Sequence, residues 1–330
     1  MSLPEILTGP FAVPVVCSPM FIASCPDLVV AQSAAGVIGS FPSLNARPHS
    51  QFRDWLSEVE DRLASYGAAN PTDFVAPFAV NQIVHKTNGR LEEDVQACVD
   101  HKVPIVITSL GAREDVNEAI HSYGGIVLHD VINNRHAHKA IEKGADGLIA
   151  VAAGAGGHAG ALSPFALLRE IRAWFDGPLM LSGAIAHGSS ILAAQVAGAD
   201  FAYVGSAFLS THEANVVDGY KDMIVASGAS DVVYSNLFTG VHGNYLRGSI
   251  EAAGFDPDNL PQSDPTAMDF ASTGNTDAKA WKDIWGSGQG IGDVVERQPA
   301  AGLVARLADE YDEALRGLAP RVESRLAVRL

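Results

Sequence analysis

The sequence predicts an α/β fold, a (β/α)8 TIM barrel with a mainly helical insertion near its C-terminal mouth. Three observations lead there. Eight short apolar runs alternate with helix-patterned stretches, the order expected of parallel βαβ units. Runs such as Val103-Pro104-Ile105-Val106-Ile107 and Gly147-Leu148-Ile149-Ala150-Val151 are apolar throughout, as strands buried on both faces are. Lys143-Gly144-Ala145-Asp146-Gly147 and Ala197-Gly198-Ala199-Asp200-Phe201 are near-copies of one helix end, glycine cap and strand start. A doubly wound open sheet is the competing arrangement, and the repeated turn favours a ring.

In chain order the predicted strands are Ala12 to Cys17, Gly36 to Ser40, Pro77 to Asn81, Val103 to Thr108, Gly125 to His129, Ala145 to Val151, Pro178 to Ser182 and Asp200 to Gly205. Between them, Gly89 to His101 places Leu91, Val95 and Val99 on one helical face, and Asn133 is suited to cap a helix reaching Lys143. Residues 1–214 form the main part of the barrel. Residues 215–285, rich in polar and turn residues, read as a helical insertion lining the substrate cavity. Residues 286–330 return to the barrel, with Ala300 to Leu330 as one or two amphipathic helices completing its outer ring.

With 22 basic against 38 acidic residues the net charge is −16, which repels nucleic acid and anionic lipid surfaces at long range. Two windows without charge, Leu148 to Leu168 and Gly177 to Ala199, are long enough to span a bilayer. Gly, Ser, Pro and a histidine interrupt both, so neither reads as a span, and Met1 to Pro10 does not read as a secretory signal. Cys17, Cys25 and Cys98 are unclustered and fit a reducing cytoplasm. A soluble cytoplasmic protein is expected, its oligomeric state left open.

The chemistry concentrates in glycine turns. Ala155-Gly156-Gly157-His158-Ala159-Gly160 follows the sixth strand; glycines admit a ligand to the backbone while an imidazole of ordinary pKa about 6.5 faces it. The dull alternative is a structural histidine, one of eleven. Ser182-Gly183-Ala184 and Val204-Gly205-Ser206 follow the seventh and eighth strands, where barrels commonly bind phosphate through backbone N–H groups. Pro19 and Met20 end the first strand, where the thioether suits a flat ring, although core filling explains Met20 as well. Asn81-Gln82 ends the third and offers amides to a ring edge or to a turn. Trp285 to Gly290, with Gln289, is placed to fold over a ligand, and Phe238 to Arg247 to line a cavity. His85-Lys86, His129-Asp130 and His136-Ala137-His138 lack metal-site spacing and support, so no catalytic metal is expected.

These residues together resemble the nitronate monooxygenase family, which also includes flavin-dependent enoyl-ACP reductases and NADH:quinone reductases. The resemblance spans most of the chain and is most specific at Gly156-Gly157-His158-Ala159-Gly160. It implies an FMN-binding TIM barrel in which Ser182, Gly183, Ala184, Gly205 and Ser206 hold the phosphate. Pro19, Met20 and Asn81 meet the ring, Gly157 and Gln289 complete the cofactor set, and His158 is the active-site histidine. Two departures stand out. Ala184 occupies a position where relatives usually show glycine, which a negative φ would accommodate, and His129-Asp130 ends the fifth strand where some relatives have a lysine. The implied reaction oxidises alkyl nitronates, or the parent nitroalkanes, with O2 to a carbonyl compound and nitrite. The alternatives are NAD(P)H-dependent reduction of a quinone or enoyl thioester, and a flavin-free barrel that binds a phosphorylated metabolite.

Overall fold

The computed structural model describes residues 3–263 and 282–327. Each of the eight apolar runs contributes a barrel strand: β1 (Val15–Cys17), β2 (Gly39–Pro42), β3 (Phe78–Ile83), β4 (Ile105–Ser109), β5 (Ile126–Val131), β6 (Gly147–Val151), β8 (Leu179–Ser182) and β9 (Phe201–Val204). They pair in parallel in the order β1-β9-β8-β6-β5-β4-β3-β2. A bridge between Val16 and Ile38 closes the ring, with Cys17 N–H donating to Ile38 O at 2.8 Å. The open-sheet alternative is thereby excluded.

Alternation along each strand sorts the side chains into two layers. Val16, Ile38, Ala79, Ile105, Ile107, Leu128, Ile149, Met180 and Phe201 form one apolar cluster inside the barrel. Leu7 joins that cluster, and Phe11 meets the edge of Phe201 at 5.3 Å. The helices α1 (Pro26–Ala34), α2 (His49–Ala69), α3 (Leu91–Asp100), α4 (Glu114–His121), α5 (Asn134–Glu142), α6 (Pro164–Arg172) and α7 (Gly188–Ala197) follow successive strands. Asn133 caps α5 as expected, its side chain accepting from His136 N–H at 2.9 Å.

The duplicated turn proves to be one device used twice. Gly144 (φ 91°) and Gly198 (φ 114°) take the left-handed conformation that ends α5 and α7. The aspartates that follow reach back to the neighbouring strand: Asp146 Oδ2 accepts from Val127 N–H at 2.7 Å, and Asp200 Oδ2 from Leu179 N–H at 2.8 Å. Each carboxylate thus locks strand register at the bottom of the barrel, β5 to β6 in one case and β8 to β9 in the other.

Beyond β9 come α8 (Ser206–Leu209), α9 (Asp218–Ala226), α10 (Arg247–Ala252) and α11 (Ala300–Ala327). The terminal stretch forms a single helix, α11, which packs against α7 and α1 and so fills the gap in the outer ring. Gly188 N–H donates to Glu310 Oε2 at 2.9 Å, and Tyr311 Oη to Gln195 Oε1 at 2.5 Å. An apolar groove of about 640 Å³ lined by Phe165, Leu192, Val196 and Leu318 runs along this outer face.

The described part of 215–285 holds α9 and α10 and also a hairpin that the sequence pattern did not indicate. Strands β10 (Val232–Ser235) and β11 (Gly243–Leu246) pair antiparallel, and β11 pairs with a two-residue strand, β7 (Gly157–His158). Residues 264–281 of the expected insertion lie outside the described residues. Among the described residues no helix is long and apolar enough to cross a membrane.

Candidate active site

His158 is the centre of the arrangement at the barrel's C-terminal mouth. The loop leaving β6 turns into β7, where Gly243 and Asn244 of β11 pair with His158 and Gly157. Asn244 Nδ2 donates to Ala155 O at 2.6 Å, and Ser287 N–H donates to Asn244 O at 3.1 Å. The hairpin therefore ties the histidine loop to the segment around Gly288 and fixes the imidazole against the mouth.

His158 Nε2 lies 3.0 Å from Thr239 Oγ1, and Thr239 Oγ1 lies 3.0 Å from Val241 O. A threonine hydroxyl has one hydrogen. Given to Val241 O, which can only accept, it makes Oγ1 the acceptor for His158 N–H. This assigns the proton to Nε2 and the ring lone pair to Nδ1. Burial pushes His158 down to about 4, so the ring is neutral at pH 7. Phe238 to Arg247 was expected to line a cavity; the structure brings Thr239 of that stretch to the histidine. Thr239 was not singled out as a residue, since a threonine 81 positions away carries no local sequence signal.

The two glycine corners meet the rest of the site. Gly205 approaches Ser18 and Met20, a Cβ built there coming within 3.1 Å of Ser18 Cβ and 3.6 Å of Met20 Sδ. Ser206, the first residue of α8, accepts from Gly288 N–H at 2.8 Å, and Gln289 N–H donates to Gly154 O at 2.9 Å. A Cβ on Gly154 would stand 3.0 Å from Gln289 Oε1. The loops after β6, β8 and β9 and the 285–290 segment thus converge, as the positions of Gly157, Ser182, Gly205, Ser206 and Gln289 in the sequence suggested.

The condition under which Ala184 would be accommodated without strain is not met. Ala184 has φ 55°, not a negative value, directly after Gly183 at 139°. An L-residue pays about 1–2 kcal/mol for the left-handed region. Relief of that strain outweighs the added backbone freedom of glycine, so Ala184→Gly is expected to hold or raise the thermal midpoint; a fall of several degrees contradicts it.

Across the mouth a polar row continues from the lumen. Ile107 and Leu128 point into the barrel, so Ser109 and Asp130, two residues on, point the same way at its upper end. Asn81 Nδ2 donates to Ile107 O at 3.1 Å and to Ser109 Oγ at 2.7 Å; Ser109 Oγ donates to Asp130 Oδ2 at 2.6 Å. Both amide hydrogens of Asn81 are spent, leaving its carbonyl as what it can offer a ligand. Gln82 faces the other way, bonded to Ser43 and Cys98 behind β3, so its amide does not serve the mouth. Burial raises Asp130 to about 6, against the lowering effect of Ser109. Its Oδ1 and the Tyr203 hydroxyl are buried without a hydrogen-bond partner of ordinary geometry; burial first, then the Asp130 charge, pushes Tyr203 up. His129 turns outward to Thr108 Oγ1 at 2.6 Å. Its own burial, reinforced by His136 and Lys139, lowers it to about 4.

These shifts predict acid sensitivity. Histidines held near 4 when folded and at 6.5 otherwise make the unfolded chain bind more protons between those values. Stability from His129 and His158 therefore rises with pH across that window, by up to about 1.4 kcal/mol per unit for each. Asp130, raised from 3.8 to about 6, works in the opposite sense, losing stability as pH rises through its window. Two histidines outweigh one aspartate. The melting temperature is expected to drop between about pH 7 and pH 4.5, and a rise would contradict these assignments.

Among the described residues no group of three or more His, Cys, Asp or Glu is placed to hold a metal ion. A barrel whose glycine corners face a polar mouth with a half-buried imidazole is the frame of a cofactor-dependent enzyme, and the comparisons with known proteins specify which. The nitronate monooxygenase profile matches residues 5–310. A nitronate monooxygenase of Paraburkholderia phytofirmans is 27% identical over 284 residues, covering 81% of this chain and 75% of that one. Among solved structures, nitroalkane oxidase from Streptomyces ansochromogenes superposes with a TM-score of 0.79 at 22% identity, covering 95% of this chain and all of that one. FabK from Thermotoga maritima superposes at 0.76 and 23% identity, covering 96% and 97%; these two speak to the fold alone. The chain belongs to the nitronate monooxygenase family. It is an oxidoreductase of the flavoprotein TIM-barrel type.

The residues present fit a flavin. Glycine corners at the ends of β8 and β9 suit an anionic tail, and Met20 lies beside one of them. Asp130 Oδ1, buried without a hydrogen-bond partner, and the buried Tyr203 hydroxyl that feels its charge are what the edge of a polar ring would satisfy.

Proposed function

We propose that this protein oxidises alkyl nitronates with O2 to a carbonyl compound and nitrite, using FMN, and accepts neutral nitroalkanes through proton transfer at His158. The observation that carries the reading is the half-buried, neutral imidazole held at the barrel mouth by Thr239 of the β10–β11 hairpin. Bound FMN supplies the electron transfer between substrate and O2.

The chain's own residues do the rest. Ser182, Gly183, Ala184, Gly205 and Ser206 hold the phosphate; Pro19, Met20, Asn81, Gly157 and Gln289 surround the remainder of the cofactor. Thr239 holds the His158 ring in place, and the neutral imidazole is the group that takes the α-proton. A base with so low a proton affinity holds a proton only when an anion forms beside it, and loss of the α-proton from a nitroalkane creates that anion. The resulting imidazolium and nitronate are paired where water is excluded, which strengthens the hydrogen bond between them. A preformed nitronate needs no base, and the same ring then serves only to orient it.

The test is a spectrum of purified protein. Absorbance at about 450 nm shows bound flavin, and anaerobic addition of an alkyl nitronate is expected to bleach it where NADH does not. Rapid bleaching by NADH instead assigns the site to quinone or enoyl-thioester reduction, and a colourless protein that takes up no FMN overturns the flavin reading.

A further inference from the structure

The acid at the end of β5 has no task in the reaction above, yet it is built into the mouth. Asp130 is half-buried: its Oδ2 is held at 2.6 Å by Ser109, which is held at 2.7 Å by Asn81, and its buried Oδ1 is left without a hydrogen-bond partner. Strands β3 and β4 stand across the ring from β8 and β9, whose glycine corners suit the anionic tail, and β5 lies next to β4, separated from β8 by β6. A cofactor held at those corners would have its ring within the mouth that Asn81, Ser109 and Asp130 line. A row of amide, hydroxyl and carboxyl groups matches the nitrogen- and oxygen-bearing edge of an isoalloxazine, not its hydrocarbon edge.

We propose that Asp130 is the group that sets the redox poise of the bound flavin, its carboxylate opposing the negative charge that reduction adds to the ring. The inference rests on the flavin reading given above. Two electrons taken up with one proton leave one negative charge on the ring system, and a second proton removes it. Unit charges a few ångströms apart in a buried site interact strongly enough to shift such an equilibrium roughly tenfold or more. An ionised Asp130 therefore disfavours the reduced cofactor and favours its return of electrons to an acceptor.

The groups around Asp130 make the effect switchable. On β4 it meets Ser109, and on β9 Tyr203, whose hydroxyl feels the Asp130 charge and lies by Ser18. On β6 the paired residue is the apolar Ile149, and the adjacent His129 of β5 points outward to Thr108. With burial holding its proton affinity near 6, Asp130 is charged above that pH and neutral below it, while Tyr203 stays protonated throughout.

The experiment is an anaerobic reductive titration of FMN-loaded protein against a reference dye, for the native chain, Asp130→Asn and Ser109→Ala. At about pH 8, Asp130→Asn is expected to raise the reduced-to-oxidised flavin ratio at fixed dye ratio roughly tenfold. At about pH 5, where the native acid takes up its proton, the difference should largely vanish. Ser109→Ala removes the bond that stabilises the carboxylate, so the pH at which the native behaviour changes should move upward; this variant keeps the test alive if Asp130→Asn does not fold. Equal midpoints for flavin-loaded native protein and Asp130→Asn at both pH values overturn the role of Asp130 and leave the flavin reading intact. Failure of the native chain itself to retain FMN overturns both.

Discussion

Replacing His158 with asparagine lowers turnover of neutral nitroalkanes by roughly 10²–10⁴-fold, the range for loss of a positioned general base. Asparagine keeps a planar, hydrogen-bonding side chain in the space of the ring and can still meet Thr239 Oγ1, but it accepts no proton. Preformed nitronate, already anionic, bypasses that step and should lose far less. The ratio of the two activities isolates proton transfer from binding, and the flavin spectrum should not change. Equal losses on both substrates would make the histidine an orienting group only, and no loss on either would remove it from the mechanism.

The second large effect is expected at Gly183. Its φ of 139° lies where L-residues are strained, and a Cβ there would stand 2.7 Å from the carbonyl oxygen of Ala153, backbone that cannot swing aside. Gly183→Ala must open the gap between the loops after β6 and β8, at a cost of about 1–3 kcal/mol. If the proposed phosphate site lies at that turn, FMN retention should fall with stability. The measurements are flavin content after gel filtration and the thermal midpoint of apoprotein. Full flavin retention in Gly183→Ala would move the phosphate to another part of the mouth. The neighbouring Ala184→Gly, expected to be neutral or stabilising, serves as the contrasting control.

Much of the barrel was legible in the chain because its signals are local. A strand buried on both faces must be apolar along its whole length, so eight such runs announce eight central strands. A glycine followed two residues later by aspartate marks a helix end whose carboxylate reaches back to the preceding strand, and the structure uses Asp146 and Asp200 in that way. Alternation also implies which way a residue faces, yet Asn81 and Gln82 were read together. Only the strand's register separates them, Asn81 toward the mouth and Gln82 toward Ser43 and Cys98. The backbone of Ala184 was not legible, because an alanine in sequence argues for ordinary φ, while the close approach of neighbouring loops imposes a left-handed one.

The sequence by itself determined the fold class, the place of the glycine corners and the identity of the histidine among them. Each depends on residue types within a few positions of one another, where backbone sterics and burial act directly. Tertiary structure alone decided what the histidine can do and what stands opposite it. Thr239 reaches His158 through a hairpin 81 residues away, and Asn81, Ser109 and Asp130 form a row only because three parallel strands bring them side by side. Protonation and hydrogen bonding are set by whichever groups share a buried space, and folding, not adjacency along the chain, chooses those groups.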